Sequence, residues 1–376
     1  MFLIYNSKGQ NSYVSQYFEM TRGISNGFYG LFGMRERVIF FDWLRIFATI
    51  AVVTIHVSAE PVWVNMYEAP RFYWLSANFY ESLTRASVPL FVMISGALML
   101  GKGKAISYRN FLSTKVNKIF LPLLLWSLIY YIYHVYRGDH EGFQILHFIK
   151  LFLTNGVSVH FWFMYMILGI YLTVPIIRIF IQNASKKDIE YFLILWLYAS
   201  VIVKYMKFHN GFSFNLELYL VTNYIGYFIL GYYLTNYSLA KKWRLLTYSG
   251  GLAGIVSTFL LTYLDTKEAG GALQAFWYEY HSPNVLLSSI GIFVLAKYSI
   301  KRGLPSFINE INKVSFGIYL VHMLVLDVFA NEIFDRLQHN LHPLLSIPLI
   351  VLIAVIFSAI VTYTLSRIPI LKRLVP

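Results

Sequence analysis

Ten apolar segments, each close to the length that crosses a lipid bilayer, constrain this chain more than any other feature. An α-helix needs about 20 apolar residues to span the hydrocarbon core. The segments are residues 38–58, 75–99, 112–136, 158–180, 189–207, 217–237, 243–264, 282–299, 312–333 and 343–366. Apolar segments of this length satisfy their backbone hydrogen bonds as helices. The sequence therefore predicts an all-α, polytopic membrane protein with about ten transmembrane helices.

The composition also favours a bilayer over water as the solvent. Charged residues are 13% of the 376 residues, whereas soluble domains carry about 25%. Hydrophobic residues are 57%, and the mean hydropathy is +0.57. The chain has no cysteine, which excludes disulfides, thiolate metal ligands and cysteine nucleophiles. Because the common metal and nucleotide motifs are also missing, we predict no metal site.

The sequence shows no linker or repeat that would separate a second folded domain. Residues 1–37 mix polar and aromatic side chains, and they lack the apolar core and cleavage site of a signal peptide. We predict a cytoplasmic N-terminal extension over residues 1–37 and a single transmembrane domain over residues 38–376.

The net charge of +13 is distributed unevenly among the loops. Basic residues cluster before the first predicted helix and after the second, fourth, sixth, eighth and tenth, whereas the alternate loops hold few. Because cytoplasmic loops are enriched in lysine and arginine, both termini are predicted to be cytoplasmic. This pattern indicates a protein in contact with membrane lipids, and we expect no nucleic-acid partner.

Two side chains that are costly in a bilayer lie in the first predicted helix. Arg45 and His56 are eleven residues apart, so they lie within about 20° around the helix and about 16 Å along it. Ionisable residues in membrane helices usually face the bundle interior and act there. The alternatives are an arginine that snorkels to the headgroups and an interfacial histidine bonded to backbone. Their shared face favours a functional pair.

The second predicted helix carries a similar pattern in "RASVPLFVMISG". Arg85, Pro89 and Gly96 recur on one helix face. One interpretation is a functional arginine facing the bundle interior. The alternative is a proline kink and a small-residue packing contact beside a snorkelling arginine.

Polar residues in two later helices complete the set of candidates. His160 and Trp162 lie at the mouth of the fourth predicted helix, where an aromatic belt is the alternative explanation for the tryptophan. Ser315, Tyr319 and His322 share one face of the ninth predicted helix. The alternative for His322 is a core histidine that bonds another helix.

Four of these segments together resemble a known family. The segments "FDWLRIFATIAVVTIH", "RASVPLFVMISGALML", "HFWFMYMILGIYLTVPII" and "SFGIYLVH" are similar, in order and spacing, to signatures of the acyltransferase-3 family. They most resemble its branch of stand-alone envelope glycan O-acetyltransferases. The resemblance implies transfer of an acyl group, usually acetyl, from cytoplasmic acyl-CoA to a hydroxyl on the far side of the bacterial cytoplasmic (inner) membrane.

The resemblance also assigns roles to individual residues. Arg45 matches the arginine of the family's first helix, His56 its essential histidine, and Arg85 the arginine of its second helix. We expect these three to be catalytic, with His56 as the general base, because imidazole exchanges protons near neutral pH. Glu60 and Glu81 are candidates for orienting the other nitrogen of His56.

For the expected acyl donor, acetyl-CoA, the resemblance points to basic residues at the cytoplasmic side. Arg45, Arg109, Lys115 and Lys118 are the predicted binding residues, with Arg45 deepest, near the pantetheine arm or the thioester. Many family members carry Arg-x-x-Arg after the second helix, and its nearest match here is Lys115 to Lys118. Lysine lacks the bidentate fork that arginine offers to phosphate.

The acceptor implied by the resemblance is a glycan or lipid-linked sugar. His160, Trp162, Tyr319 and His322 are predicted to hold it or to polarise the thioester carbonyl. A covalent acyl-enzyme remains open. Two other functions also remain open, a transporter or flippase that exports a glycan or lipid-linked precursor, and a structural partner in envelope assembly.

Overall fold

The chain is helical in a computed structural model that describes residues 38–375, apart from 69, 102–106, 213–215, 217 and 330–334. The predicted N-terminal extension lies outside the described residues. The α-helices are α1 Ile39–Trp63, α2 Arg71–Thr84, α3 Ser87–Met99, α4 Tyr108–Phe111, α5 Asn117–Arg137, α6 Ile145–Leu153, α7 Trp162–Asn183, α8 Lys186–Leu197, α9 Val203–Asn210, α10 Ile225–Asn236, α11 Lys241–Glu268, α12 Pro283–Ser299, α13 Ser306–Lys313, α14 Ser315–Phe329, α15 Asp335–Asn340 and α16 Pro343–Arg367. Single π turns precede α5 and α9, and short 3₁₀ turns include Val159–Phe161 and Ala275–Tyr278. No strand occurs in this described part, so the predicted all-α class is confirmed.

Seven helical stretches of the described chain are long and apolar enough to cross a membrane, or up to eight if a bent pair counts as one span. The seven are Ile39–Ala59, Arg71–Met99, Tyr108–Arg137, Val159–Asn183, Lys186–Asn210, Lys241–Glu268 and Pro343–Arg367. The bent pair is α13 and α14, which turn by 75°. The remaining two predicted spans contain α10 and α12, of only 12 and 17 residues. The predicted count of ten is therefore not confirmed, and the cytoplasmic termini stay a prediction.

The longest helices present apolar side chains outward. Leu252 on α11 is 65% exposed, and Leu352 and Ile360 on α16 are 54% and 56% exposed. Exposed leucine and isoleucine are expected where lipid replaces water around a helix bundle. The polar side chains described below point instead into cavities between helices.

The second predicted span is interrupted at Arg85. α2 ends at Thr84 and α3 begins at Ser87, so Pro89 lies in the first turn of α3. Proline has no N–H to donate to the carbonyl four residues earlier, which belongs here to Arg85. The interruption places Arg85 at a helix junction without ending the membrane span, which continues to Met99.

Two glycines bring α3 and α10 into close contact. A Cβ atom on Gly96 would lie 1.7 Å from the carbonyl oxygen of Phe228, and one on Gly231 would lie 2.0 Å from that of Met93. Glycines at such contacts let helix backbones approach closely in membranes. The small-residue contact considered for Gly96 is therefore present, and it packs α3, the helix that follows Arg85, against α10.

We expect Gly96→Ala to lower the free energy of unfolding by about 1–3 kcal/mol, because the added methyl group overlaps backbone atoms that cannot rotate away. Gly169→Ala in α7 is the matched control, since a Cβ there meets nothing within 4 Å. Unfolding in detergent, followed by circular dichroism, measures both. Equal stability of Gly96→Ala and the control variant would contradict the close contact.

Candidate active site

Three histidines from different parts of the chain lie against one another. His56 comes from α1, His160 from the 3₁₀ turn before α7, and His322 from α14. The ring centroids are 5.1 Å apart for His56 and His322, 5.2 Å for His160 and His322, and 6.4 Å for His56 and His160. His160 and His322 are buried, whereas His56 is only partly buried. The structure thus brings together all three histidines singled out from the sequence.

Hydrogen bonds orient the two buried histidine rings. Nδ1 of His322 donates to the carbonyl oxygen of Tyr319 at 2.6 Å, so in the neutral ring Nε2 carries the lone pair. Nδ1 of His160 lies 2.9 Å from Oγ of Ser158. Within the described residues, both Nε2 atoms are buried and have no hydrogen-bond partner. Nε2 is therefore the unpaired position of each ring among these residues. No group of three ligands able to hold a metal ion occurs in this part of the chain.

Two tyrosines connect the histidine-bearing elements. The Tyr319 hydroxyl donates to the carbonyl of His160, which joins α14 to the 3₁₀ turn. The Tyr130 hydroxyl, from α5, donates to the carbonyl of Leu320 at 2.9 Å and accepts from the N–H of Leu324 at 3.2 Å. Tyr130 was not predicted from the sequence, because nothing distinguishes it among the chain's 30 tyrosines.

A buried ion pair holds Arg85 at the helix junction. Its guanidinium pairs with Glu81, whose side chain is 0% exposed. Oγ of Ser58 donates to Oε1 of Glu81 at 3.2 Å, and the guanidinium lies 4.3 Å from the ring centre of Tyr278. Glu81, one candidate for orienting His56, therefore binds Arg85 here. The side chain of the other candidate, Glu60, lies outside the described residues.

His56, Arg85, His160, Trp162 and Tyr319 meet around one cavity of about 550 Å³. We call this cavity the central chamber. The Trp162 ring stacks on Tyr280, with centroids 5.5 Å apart and planes at 26°. Nε of Arg85 is buried and has no hydrogen-bond partner in the described chain. The chamber therefore combines a histidine cluster with an unused cationic donor.

A second cavity, of about 300 Å³, surrounds Arg45. Lys115, Lys118, Ser95 and Ser315 also line this Arg45 cavity. Arg45 pairs with Asp42 at 3.1 Å. Three of the four residues predicted to bind acyl-CoA are thus grouped. The fourth, Arg109, is exposed on α4 and is not among the residues that line the cavity.

Three aromatic side chains line both the Arg45 cavity and the central chamber. Phe91, Phe163 and Tyr319 line both. The ring centroids are 5.9 Å apart for Phe91 and Phe163, and 5.6 Å for Phe163 and Tyr319. The Arg45 cavity and the central chamber therefore share an aromatic wall.

Two further clefts adjoin the central chamber. The polar cleft, of about 500 Å³, shares His56, Val159 and Met323 with it.

The aromatic cleft, of about 280 Å³, shares Trp63, Arg85 and Tyr280 with the chamber. It also contains His281 and Lys204. Burial lowers the pKa of His281 to about 4, and the charge of Lys204 acts in the same direction. The His281 ring is therefore neutral at physiological pH.

Fold and site together define an integral membrane protein with a histidine cluster at the junction of two cavities. The acyltransferase-3 family model, described as "Acyltransferase domain", matches residues 38–363. The chain belongs to this family, which confirms the resemblance of its four motifs.

One relative extends the comparison over a shorter stretch. Over 101 residues the chain is 33% identical to "Succinoglycan biosynthesis protein ExoH" of Rhizobium meliloti (strain 1021). This match covers 26% of the chain and 27% of that relative. No solved structure matches the chain.

Proposed function

We propose that this protein is a membrane O-acyltransferase that moves an acetyl group from acetyl-CoA to a hydroxyl of a cell-envelope glycan or lipid-linked sugar. The observation that carries the proposal is the aromatic wall shared by the Arg45 cavity and the chamber that His56 lines. The family match supports acyl transfer, and the relative's role in succinoglycan biosynthesis supports a polysaccharide acceptor. The distribution of basic residues among the loops supports placing the Arg45 cavity at the cytoplasmic side of the bacterial inner membrane.

Acetyl-CoA would bind on the Arg45 side. Arg45, Lys115 and Lys118 offer three cationic groups to its polyanionic part through charge-assisted hydrogen bonds. The pantetheine arm would extend toward Phe91 and Phe163. It would have to cover the distance from Arg45 to His56, which is about 16 Å along α1. The thioester reaches the histidines while the nucleotide stays behind.

In the chamber, His56 would accept the proton of the acceptor hydroxyl as its oxygen attacks the thioester carbonyl. A C–O bond forms, the C–S bond breaks, and the protonated imidazole returns its proton to the CoA thiolate. The free Nε–H of Arg85 is the best-placed donor to the tetrahedral oxyanion, because a buried charged donor stabilises developing negative charge. The Tyr319 hydroxyl already donates to His160 and therefore acts by positioning.

Release of CoA tests the proposal directly. Because the chain has no cysteine, a thiol reagent reports CoA without background from the protein. Purified protein in nanodiscs with acetyl-CoA and isolated envelope glycan should release CoA and form an acetyl ester that mass spectrometry detects. Absence of acetyl-CoA binding, together with glycan movement across proteoliposomes, would favour an exporter instead.

Lys115→Gln/Lys118→Gln should raise the KM for acetyl-CoA about tenfold and leave kcat nearly unchanged, because the lost contacts are equal in ground and transition states. The KM should also depend less on salt concentration. Lys241→Gln/Lys242→Gln removes two exposed charges outside the cavity and serves as the control. An equal rise in KM for both double variants would indicate general surface attraction.

A further inference from the structure

The polar cleft reaches His56 and shares no lining residue with the Arg45 cavity. His56, Tyr133, Arg137, Asp139 and Asp327 line it. The aromatic cleft meets the chamber at Arg85, and His56 is not among its lining residues. An acceptor hydroxyl that must reach the His56 imidazole therefore has a direct approach through the polar cleft.

Asp327 and Arg137 form the polar centre of this cleft. Oδ1 of Asp327 accepts from Arg137 at 2.5 Å, and Oδ2 accepts from the Tyr133 hydroxyl at 2.6 Å. The two charged side chains are 37% and 42% exposed, so they still face the cleft. A carboxylate has about four acceptor positions and a guanidinium has five donors. Most of these positions have no partner among the described residues.

The charges of the cleft favour a neutral ligand. Among the described lining residues each carboxylate has a basic partner, Arg137 for Asp327 and His134 for Asp139, the latter at 2.8 Å. The hydrogen bond from His134 lowers the pKa of the Asp139 carboxyl, which is therefore ionised at neutral pH. The described lining therefore offers no unpaired cation to an anionic sugar. Alternating donors and acceptors instead match neighbouring hydroxyls of a neutral sugar.

The volume of the cleft agrees with that ligand. About 500 Å³ lies within the range of about 300–1,000 Å³ that is usual for small-molecule sites. Apolar side chains, among them Val157, Leu324 and Leu326, complete the lining and offer a surface to the C–H face of a sugar ring.

We propose that the polar cleft is the acceptor subsite and that it binds a neutral hexose unit of the glycan. Asp327 and Arg137 hold hydroxyls next to the one that reaches His56. This inference rests on the proposed acyltransferase function. It names the class of acceptor, its route and the residues that select it.

Cysteine protection tests occupancy of the cleft without requiring turnover. Leu326→Cys places a single thiol in the polar cleft, and Ala275→Cys places one in the aromatic cleft. Methyl β-D-glucoside should slow maleimide labelling of Leu326→Cys and leave Ala275→Cys unchanged. Methyl β-D-glucuronide, its anionic counterpart, should protect more weakly. Protection of Ala275→Cys alone, or stronger protection by the glucuronide, would overturn the proposal.

Asp327→Asn tests the proposed contact in the assay of acetyl transfer. We expect the KM for methyl β-D-glucoside to rise about tenfold and the KM for acetyl-CoA to stay constant. When Asp327→Asn is combined with Leu326→Cys, protection of the thiol should need an about tenfold higher sugar concentration. Glu279→Gln is the control, because Glu279 is also a carboxylate next to a cation, Lys204 at 3.8 Å, but lines the aromatic cleft.

The outcomes separate this inference from the proposed function. Normal acetyl transfer with an unchanged acceptor KM in Asp327→Asn would refute the subsite and leave the acyltransferase intact. Sugar protection of Leu326→Cys without any acetyl-CoA-dependent ester would support the subsite and refute the acyl chemistry. A higher acceptor KM in Glu279→Gln alone would move the acceptor to the aromatic cleft.

Discussion

His56→Ala should lower acetyl transfer by a factor of about 10²–10⁴, the usual contribution of a positioned general base. His56 is the one histidine that lines both the central chamber and the polar cleft, so its ring lies where donor and acceptor would meet. Binding of acetyl-CoA should persist, because the Arg45 cavity does not include His56. The rate of CoA release and the thermal shift caused by acetyl-CoA measure the two effects separately.

A matched substitution makes the His56 result specific. His209→Ala removes an exposed histidine that lines none of the four cavities of the site, and its rate should equal that of the unmodified protein. His56→Gln retains a polar side chain of similar length and covers the case in which alanine perturbs folding. If both His56 variants keep their full rate and their thermal stability, the assignment of the base is wrong.

Arg85→Met should lower the free energy of unfolding by about 3–5 kcal/mol and also abolish acetyl transfer. The variant leaves Glu81, which is fully buried, without its charged partner. Replacing both members, as Arg85→Met/Glu81→Gln, removes the unpaired charge. This double variant should regain most of the stability while it stays inactive, because the oxyanion donor is still missing.

The two readouts separate the positioning of helices from catalysis at Arg85. Chemical unfolding in detergent gives the stability of both single variants and the double variant, and the CoA assay gives their activity. Glu81→Gln alone isolates the loss of the carboxylate. Activity that returns together with stability in the double variant would show that Arg85 acts only as a structural partner of Glu81.

Much of the candidate site was predictable from helical periodicity and the family motifs. Arg45 and His56 share a face of α1, and Tyr319 and His322 share a face of α14, as their spacing predicts. Arg45, His56 and Tyr319 line cavities of the bundle, whereas His322 lines neither cavity and packs against the ring of His56. Arg85 and Trp162, for which snorkelling and an aromatic belt were the alternatives, both line the central chamber.

Other elements could not be predicted because they depend on contacts between distant helices. Tyr130 contacts α14 nearly 200 residues away in sequence, and Arg137 meets Asp327 across a similar separation. Glu81 was a candidate for orienting His56, but it pairs instead with Arg85, one helical turn away. The predicted spans at α10 and α12 are not confirmed, because these helices have only 12 and 17 residues and hydropathy does not show where a helix ends.

The sequence by itself determined the solvent, the helical class, the family and the face of each helix that carries polar groups. Those properties depend on local composition and on the 3.6-residue repeat, which are contained within single segments. Only the tertiary structure decided which faces meet. It placed the ring centroids of three histidines 5.1–6.4 Å apart. It also formed an aromatic wall shared by the Arg45 cavity and the central chamber, and a polar cleft that His56 lines. These features depend on how the helices pack. The distance between side chains on two helices is set by how closely the two backbones approach, as they do at Gly96 and Gly231.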